Sequence, residues 1–365
     1  MFLSYLQLTN FRSYENLERE LGPGITSFIG SNGEGKTNIV EAVGFLAYLR
    51  SHRTSSDNPL VRLESERAYI RAKVNTGGRE ELLEVEINQG KANRARINQQ
   101  PVRSTRELLG HLRAILFTPE DLALVKGDPT ERRDFLDTLL ISRTPRYAGV
   151  IADYEKSLKQ RNALLKSRPH ERDLAPWDEH IVRYGAQLIA ARLELIDDLM
   201  PYVIESYRKI SKGDHISAQY KSSQELRGTN ADELTSEIAE IIPTLRRAEL
   251  ERGVTLIGPH RDDLLLSLGP MPVKGYASQG ESWSYALALR MGSYQLLSAE
   301  GLGEGTQPIL ILDDVFAELD NLRRGALLEL IDSSEQVLVT AAVEDDLPKE
   351  FNDRRFYVRE GRVSQ

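Results

Sequence analysis

Gly30-Ser31-Asn32-Gly33-Glu34-Gly35-Lys36-Thr37 satisfies the pattern G-x-x-x-x-G-K-[ST] at every fixed position. Its flanks decide how it is read. Ile25-Thr26-Ser27-Phe28-Ile29 before it is a short strand, and Asn38 to Leu49 after it carries Ile39, Val43, Leu46 and Ala47 at helical spacing. A glycine-rich loop between strand and helix turns its backbone N–H groups inward around phosphate oxygens, and the helix N-terminus adds a favourable dipole. Gly30, Ser31, Asn32, Gly33, Glu34, Gly35, Lys36, Thr37 and Asn38 are therefore the candidate phosphate-binding residues. Lys36 is expected to reach the β- and γ-phosphates of a nucleoside triphosphate, and the Thr37 hydroxyl to ligate Mg²⁺.

Two later segments fit the same chemistry. Ile309-Leu310-Ile311-Leu312-Asp313-Asp314 is an apolar run ending in two carboxylates. A buried parallel strand delivers such a carboxylate to the C-terminal edge of its sheet, where nucleotides bind in α/β folds. Asp313 is the candidate Mg²⁺ ligand, and Asp314 the candidate that orients or deprotonates an attacking water. Ala277-Ser278-Gln279-Gly280-Glu281 precedes a helical stretch from Ser282 to Leu297. Ser278 and Glu281 form a capping box on the sequence pattern alone. The same helix start also suits a γ-phosphate held by a second copy of the chain.

Around these motifs the pattern is mixed. Leu6 and Leu8 share one face of an N-terminal strand, and Gly22-Pro23-Gly24 is a turn before the next strand. Residues 68–102 read as antiparallel strands joined by turns at Thr76-Gly77-Gly78 and Asn88-Gln89-Gly90, inserted after the first helix. Residues 104–112 and 129–142 read as helices. A long helical region from Arg146 to Lys212 is expected to break at Ser167-Arg168-Pro169 and Ala175-Pro176, with Pro201 a further kink or boundary, giving a short helical hairpin. Asp232 to Arg252 is another helix. Strands at 264–268, 308–312 and 336–340 alternate with helices at 282–297 and 321–331, and a final hairpin turns at Glu360-Gly361. Such alternation implies a mostly parallel α/β sheet.

Composition bounds the answer. The chain has 365 residues, 47 Lys+Arg against 55 Asp+Glu, a net charge of -8, and no cysteine. That excludes a disulfide scaffold, an Fe–S cluster and Cys-ligated zinc. Six scattered His without a paired spacing disfavour a His-built metal site. With neither a long apolar run nor a secretory signal pattern, a cytoplasmic protein without a membrane partner is expected. The charge is uneven: residues 50–113 hold 13 basic and 8 acidic side chains and residues 143–212 hold 13 and 10, so the remainder is near -16. A basic surface on an acidic body is compatible with DNA.

Phosphate loop, Ser-Gln-Gly-Glu segment and Asp-ended strand, in that order, resemble the ABC-type ATPase heads. Leu6-Gln7-Leu8-Thr9-Asn10-Phe11-Arg12-Ser13-Tyr14 is similar to their SMC-like DNA-repair branch. Ser51-His52-Arg53-Thr54, Phe117-Thr118-Pro119-Glu120-Asp121-Leu122, Gly127-Asp128-Pro129, Arg132-Arg133-Asp134-Phe135-Leu136-Asp137, Gly258-Pro259-His260-Arg261-Asp262-Asp263 and Leu312-Asp313-Asp314-Val315-Phe316-Ala317-Glu318-Leu319-Asp320 resemble the RecF family of bacterial recombination mediators, from end to end. The resemblance implies an α/β fold: an ABC-type P-loop ATPase head with an inserted antiparallel β-subdomain and a second, mainly helical lobe with a short hairpin. Its divisions are 1–143 (phosphate loop and β-insert), 144–252 (helical lobe) and 253–365 (signature, Asp-ended strand and D-loop).

The same resemblance implies a weak, DNA-dependent ATPase using ATP and Mg²⁺. ATP is expected to lie between two subunits, with Ser278 and Gly280 of one facing the phosphates on Lys36 of the other. Arg12 and Asn32 are expected near the phosphates, Asp320 as the D-loop aspartate, and 117–121 as the γ-phosphate-sensing loop, though without its usual Gln. Implied partners are double-stranded or gapped DNA, a second copy of the chain, and RecR, with RecO and RecA in the pathway. Asp314 replaces the Glu of transporter-type ATPases, and Gln336-Val337-Leu338-Val339-Thr340-Ala341 lacks the His that follows their corresponding strand. Both departures oppose a transporter subunit; a nucleotide-dependent scaffold without hydrolysis is the other alternative. Candidate DNA contacts are Arg50, Arg53, Arg62, Arg67, Arg71 and Lys73, and Lys156, Lys159, Arg161 and Lys166. His260 and Arg261 follow a Gly-Pro turn, where local backbone bonding competes with nucleotide or DNA contact.

Overall fold

Strand β1 (Phe2–Phe11) turns directly into β2 (Tyr14–Glu20), and β3 (Gly24–Ile29) runs into the phosphate loop and helix α1 (Lys36–Tyr48). In this computed structural model the described residues are 1–167, 170–211, 215–301, 303, 305–349, 351 and 353–365. After α1 come β4 (Arg67–Thr76), β5 (Arg79–Asn88), β6 (Arg94–Ile97), β7 (Gln100–Pro101) and β8 (Ala114–Phe117). Helices α2 (Leu122–Lys126), α3 (Pro129–Arg143), α4 (Tyr147–Lys166) and α5 (Glu171–Ile210) follow, then β9 (Ile216–Lys221) and α6 (Ala231–Arg252). The last part is β10 (Asp263–Leu268), β11 (Met271–Pro272), α7 (Gln279–Ala299), β12 (Ile309–Asp313), α8 (Asn321–Asp332), β13 (Gln336–Ala341), β14 (Arg354–Arg359) and β15 (Arg362–Ser364).

The chain divides into two compact units: Met1–Asp121, Glu205–Lys212 and Trp283–Gln365 form the first, and Leu122–Ile204 and Gly213–Ser282 the second. These edges differ from the sequence divisions at 143/144 and 252/253 because β10 pairs with β9 and α3 packs on α4 within the second unit.

Two six-stranded sheets build the first unit. One is antiparallel with order β2-β1-β4-β5-β6-β7, so the inserted strands extend the N-terminal hairpin. The other has order β15-β14-β3-β13-β12-β8 and is parallel except for β15. Residues 104–112, read as a helix, contain a short 3-10 turn and lead into β8. β8 is Ala-Ile-Leu-Phe, buried at every position, so no alternation marks it as a strand. Leu3, Leu6 and Leu8 of β1, Ile39, Val43 and Leu46 of α1, and Ile309 and Ile311 of β12 share one apolar core.

The second unit holds the sheet β11-β10-β9 and the helices α2, α3, α4 and α6 with most of α5. α5 is 40 residues long and runs through Pro176 and Pro201, which correct the expected break and boundary there. Buried Leu174, Ile181, Leu199 and Val203 flank both prolines, so packing on each side offsets the lost N–H bond. Of the expected break at 167–169, Arg168 and Pro169 lie outside the described residues. Arg161 is 0% exposed and binds Asp178 at 2.8 Å, Glu249 at 2.6 Å and Thr255 at 2.8 Å, fastening α4, α5 and α6 together.

Candidate functional site

The strand order of the parallel sheet positions the site. β13 lies between β3, which ends at the phosphate loop, and β12, which ends in Asp313. Thr340 of β13 is paired with Phe28 on one side and Asp313 on the other. All three strands end at the same edge, the carboxyl edge at which α/β sheets bind nucleotides.

Neighbours on two sides hold the loop. Gly35 has φ 112, a conformation closed to most side chains, and a Cβ there would meet Ser13 Oγ at 2.8 Å and Tyr14 Oη at 3.0 Å. The Tyr14 hydroxyl donates to the Gly35 carbonyl at 3.0 Å, and Asn38 Nδ2 donates to Ser13 Oγ at 2.9 Å. On the opposite side Gly30 abuts β14, where a Cβ would stand 2.2 Å from the Val358 carbonyl oxygen. The Glu34 carboxylate accepts from the Glu360 N–H, and its carbonyl from Gly361 at 3.3 Å. The Glu360-Gly361 turn was legible in the sequence, but its contact with the loop was not, and neither was the turn at Ser13. Lys36, 3% exposed, donates to the carbonyls of Gly30 at 2.6 Å and Ser31 at 3.3 Å and to Asn32 Oδ1 at 3.4 Å. Its ammonium also stands 4.0 Å from Asp314 Oδ2.

Asp313 is the centre of the polar cluster. Its Oδ1 accepts from Thr37 Oγ1 at 3.0 Å and from Thr340 Oγ1 at 2.7 Å. Thr340 in turn accepts from the Asp314 N–H at 2.9 Å. The hydroxyl found where transporter-type ATPases have a His thus fixes both carboxylate residues. Asp314 adopts φ 51, and its Oδ1 is buried without a hydrogen-bond partner. Burial, and then the neighbouring Asp314 charge, push the Asp313 pKa up to about 6. A buried carboxylate short of positive charge beside a Thr hydroxyl is a hard-oxygen pair suited to Mg²⁺ completed by phosphates and water.

His52 was not singled out as a site residue, yet its Nε2 lies 3.9 Å from Asp313 Oδ2. Burial lowers its pKa, so the imidazole is neutral near pH 7. The only sequence signal for it was its place in the Ser51-His52-Arg53-Thr54 segment.

Other expected residues stand differently. The Arg12 guanidinium is engaged by Glu41, at 2.6 and 2.9 Å, and by the Pro59 carbonyl at 3.0 Å. Arg12, Ser13, Asn38, Pro59 and Leu63 line a hollow of about 640 Å³ beside the loop. Ser278 and Glu281 form the capping box at the start of α7: Ser278 N–H to Glu281 Oε2 at 2.8 Å and Glu281 N–H to Ser278 Oγ at 3.2 Å. Both are exposed, and Gly280 is partly so. Asp320 is the exposed N-cap of α8, accepting from Arg323 N–H at 3.0 Å. In the 117–121 segment, Asp121 accepts from Thr118 N–H at 3.0 Å and from Arg290 of α7 at 2.7 Å. His260 bonds Tyr154 Oη at 2.6 Å, and burial lowers its pKa to about 4.

The candidate DNA contacts divide sharply. Arg67, Arg71 and Lys73 are paired across strands with Glu86 at 3.6 Å, Glu84 at 2.8 Å and Glu80 at 3.1 Å. Arg62 faces Glu15 at 3.8 Å and Arg53 faces Glu41 at 3.4 Å. Arg161 is buried in its ion network, which removes it as a surface contact. Arg50 is exposed, as are Lys156, Lys159 and Lys166 on α4.

The model of the RecF/RecN/SMC N terminal domain matches residues 2–362. The DNA replication and repair protein RecF of Streptomyces avermitilis is 53% identical, over 100% of both chains. That of Kineococcus radiotolerans is 52% identical over 95% of this chain and 94% of its own. Among solved structures, one described as the recombination mediator protein RecF-ATPrS in the RecFOR pathway superposes with a TM-score of 0.91 at 27% identity, covering 100% of this chain and 97% of that one. An SMC head bound to a ScpA domain, at TM-score 0.56 and 16% identity over 100% of this chain and 97% of that one, shares the fold. An SMC-like ATPase head fold, a phosphate loop bonded to the carboxylate at the end of β12 and this degree of identity agree: the chain belongs to the RecF family.

Proposed function

We propose that the chain is an ATP-dependent, DNA-binding recombination mediator. In this reading ATP drives two heads together around DNA at single-strand gaps or ss/ds junctions. Slow, DNA-stimulated hydrolysis then releases the clamp, and the protein helps load RecA with RecO and RecR. The bond between Thr37 on the phosphate loop and Asp313 at the end of β12 carries the proposal, because it unites the two halves of an Mg²⁺–nucleotide site. A relative 27% identical over the whole chain is described as a RecF-ATP structure, which supports ATP as the ligand.

The side chains then take distinct roles. Lys36 exchanges carbonyl partners for phosphate oxygens, and the loop from Gly30 to Asn38 supplies N–H donors with Asn32 at its mouth. Thr37 and Asp313 hold Mg²⁺, which neutralises charge on the phosphates. Asp314, with an unpartnered oxygen, accepts a proton or hydrogen bond from the attacking water. The hollow bordered by Arg12 takes the base and ribose. Ser278 and Asp320, exposed, and Gly280, partly exposed, serve the nucleotide of a second copy. Acting on DNA, the protein is cytoplasmic; among the described residues no helix is long and apolar enough to cross a membrane.

ATP turnover with and without gapped DNA, in wild type and Asp314→Asn, tests the reading. DNA stimulation in wild type and a loss of about 10²-fold or more in the variant are expected. Unchanged turnover in Asp314→Asn sinks the role given to that residue, and an absence of turnover in wild type leaves a scaffold.

A further inference from the structure

The open oxygen of Asp313 faces a side chain that takes no part in holding Mg²⁺ or the phosphate loop. Oδ1 is taken by Thr37 and Thr340, whereas Oδ2 faces His52 Nε2 across 3.9 Å. His52 does not reach this place by accident of a loose loop. Leu49 ends α1 in a left-handed conformation with φ 54, turning the chain back. The Ser51 hydroxyl then donates to Glu41 Oε1 at 2.5 Å and accepts from Arg53 N–H at 2.9 Å and Thr54 N–H at 3.2 Å. Glu41 is itself fully buried, on α1 and anchored by Arg12. The loop carrying His52 is therefore built onto the same helix that begins at Lys36.

At the end of β13, where a polar ring is missing, Thr340 has both hydrogen-bonding functions committed, one to Asp313 and one to the Asp314 N–H. It has no donor left for a nucleotide. His52 approaches from α1 instead, on the side of Asp313 opposite to its bound hydroxyls.

We propose that His52 is a further nucleotide-site residue, whose imidazole donates a hydrogen bond to the terminal phosphate and makes the site discriminate triphosphate from diphosphate. The proposal rests on ATP binding at Lys36 and Asp313 and adds the residue that reads the γ-position. A structural histidine would support either nucleotide equally; one that touches the terminal phosphate affects only the longer.

The test measures equilibrium binding of Mg-ADP and of a non-hydrolysable Mg-ATP analogue to wild type, His52→Ala, His52→Gln and Lys36→Met. For His52→Ala, analogue affinity is expected to fall about tenfold, as for loss of one hydrogen bond to a charged group. ADP affinity should stay within about twofold, and His52→Gln, which keeps a donor, should recover part of the loss. Equal losses of both nucleotides, or no loss of either, overturn the proposal. As a readout in the unsubstituted protein, ¹⁵N-histidine spectra should show one imidazole signal moving with the analogue and not with ADP. His52→Gln should lack that signal; no such signal also overturns the proposal. Failure of wild type to bind either nucleotide, or retention of both by Lys36→Met, points to an error in the nucleotide reading itself.

Discussion

Thr340 has the most direct single-residue consequence. Its hydroxyl holds Asp313 and Asp314 together, and it is 1% exposed. Thr340→Val keeps the shape but leaves the Asp314 N–H without its partner. A loss of about 1–3 kcal/mol in denaturant unfolding is expected, with a fall in ATP turnover larger than the fall in nucleotide affinity. A second residue-scale expectation concerns His260, whose pKa in the folded chain is about 4 against about 6.5 when unfolded. Below pH 6.5 the unfolded chain binds a proton that the folded chain refuses, so this group's contribution to stability falls between pH 6.5 and 4 and is level below that. Unfolding curves of wild type and His260→Gln should therefore diverge across that window, with wild type losing more as the pH drops.

Among the elements, the exposed basic side chains of α4 and the cross-strand pairs of the antiparallel sheet make opposite predictions. Lys156, Lys159 and Lys166 fall within about a quarter of the helix circumference at 3.6 residues per turn. Replacing all three by Ala should weaken DNA binding and lower the salt slope of log K by about 3, near 0.9 per phosphate contact. Ala at Arg67, Arg71 and Lys73 should change that slope little, since each is already paired with a Glu. The sequence showed these side chains as net-positive surface because charge was counted along the chain, while the sheet pairs charges across it. The same limit hid β2, whose buried Tyr14 and Leu17 are three residues apart rather than two, and β8, buried on both faces. Pro176 and Pro201 misled in the other direction, because packing that spans a proline is written in distant residues. The strand-loop-helix around Lys36 and the Asp-ended strand were legible, since their chemistry and their local geometry are set by the same contiguous residues.

For the whole molecule, the order β3-β13-β12 could not be read from the chain, yet it is what brings Thr37 and Asp313 to 3.0 Å. Likewise, the sequence pattern around Ser278 had two uses, and the capping box is the one the folded chain makes by itself. If Ser278 also meets a nucleotide in trans, Ser278→Ala should cost about 1 kcal/mol of stability as a lost helix cap and, separately, weaken association of two copies. At this scale the proposed function requires that ATP make the two-headed state the favoured one. Light scattering with ADP, with ATP and Mg²⁺, and with ATP plus gapped DNA measures that state directly, with Lys36→Met and Ser278→Arg as controls. A dimer is expected with ATP alone and with ATP plus DNA, absent with ADP and lost in both variants; a monomer under every condition rules out an ATP-favoured pair of heads.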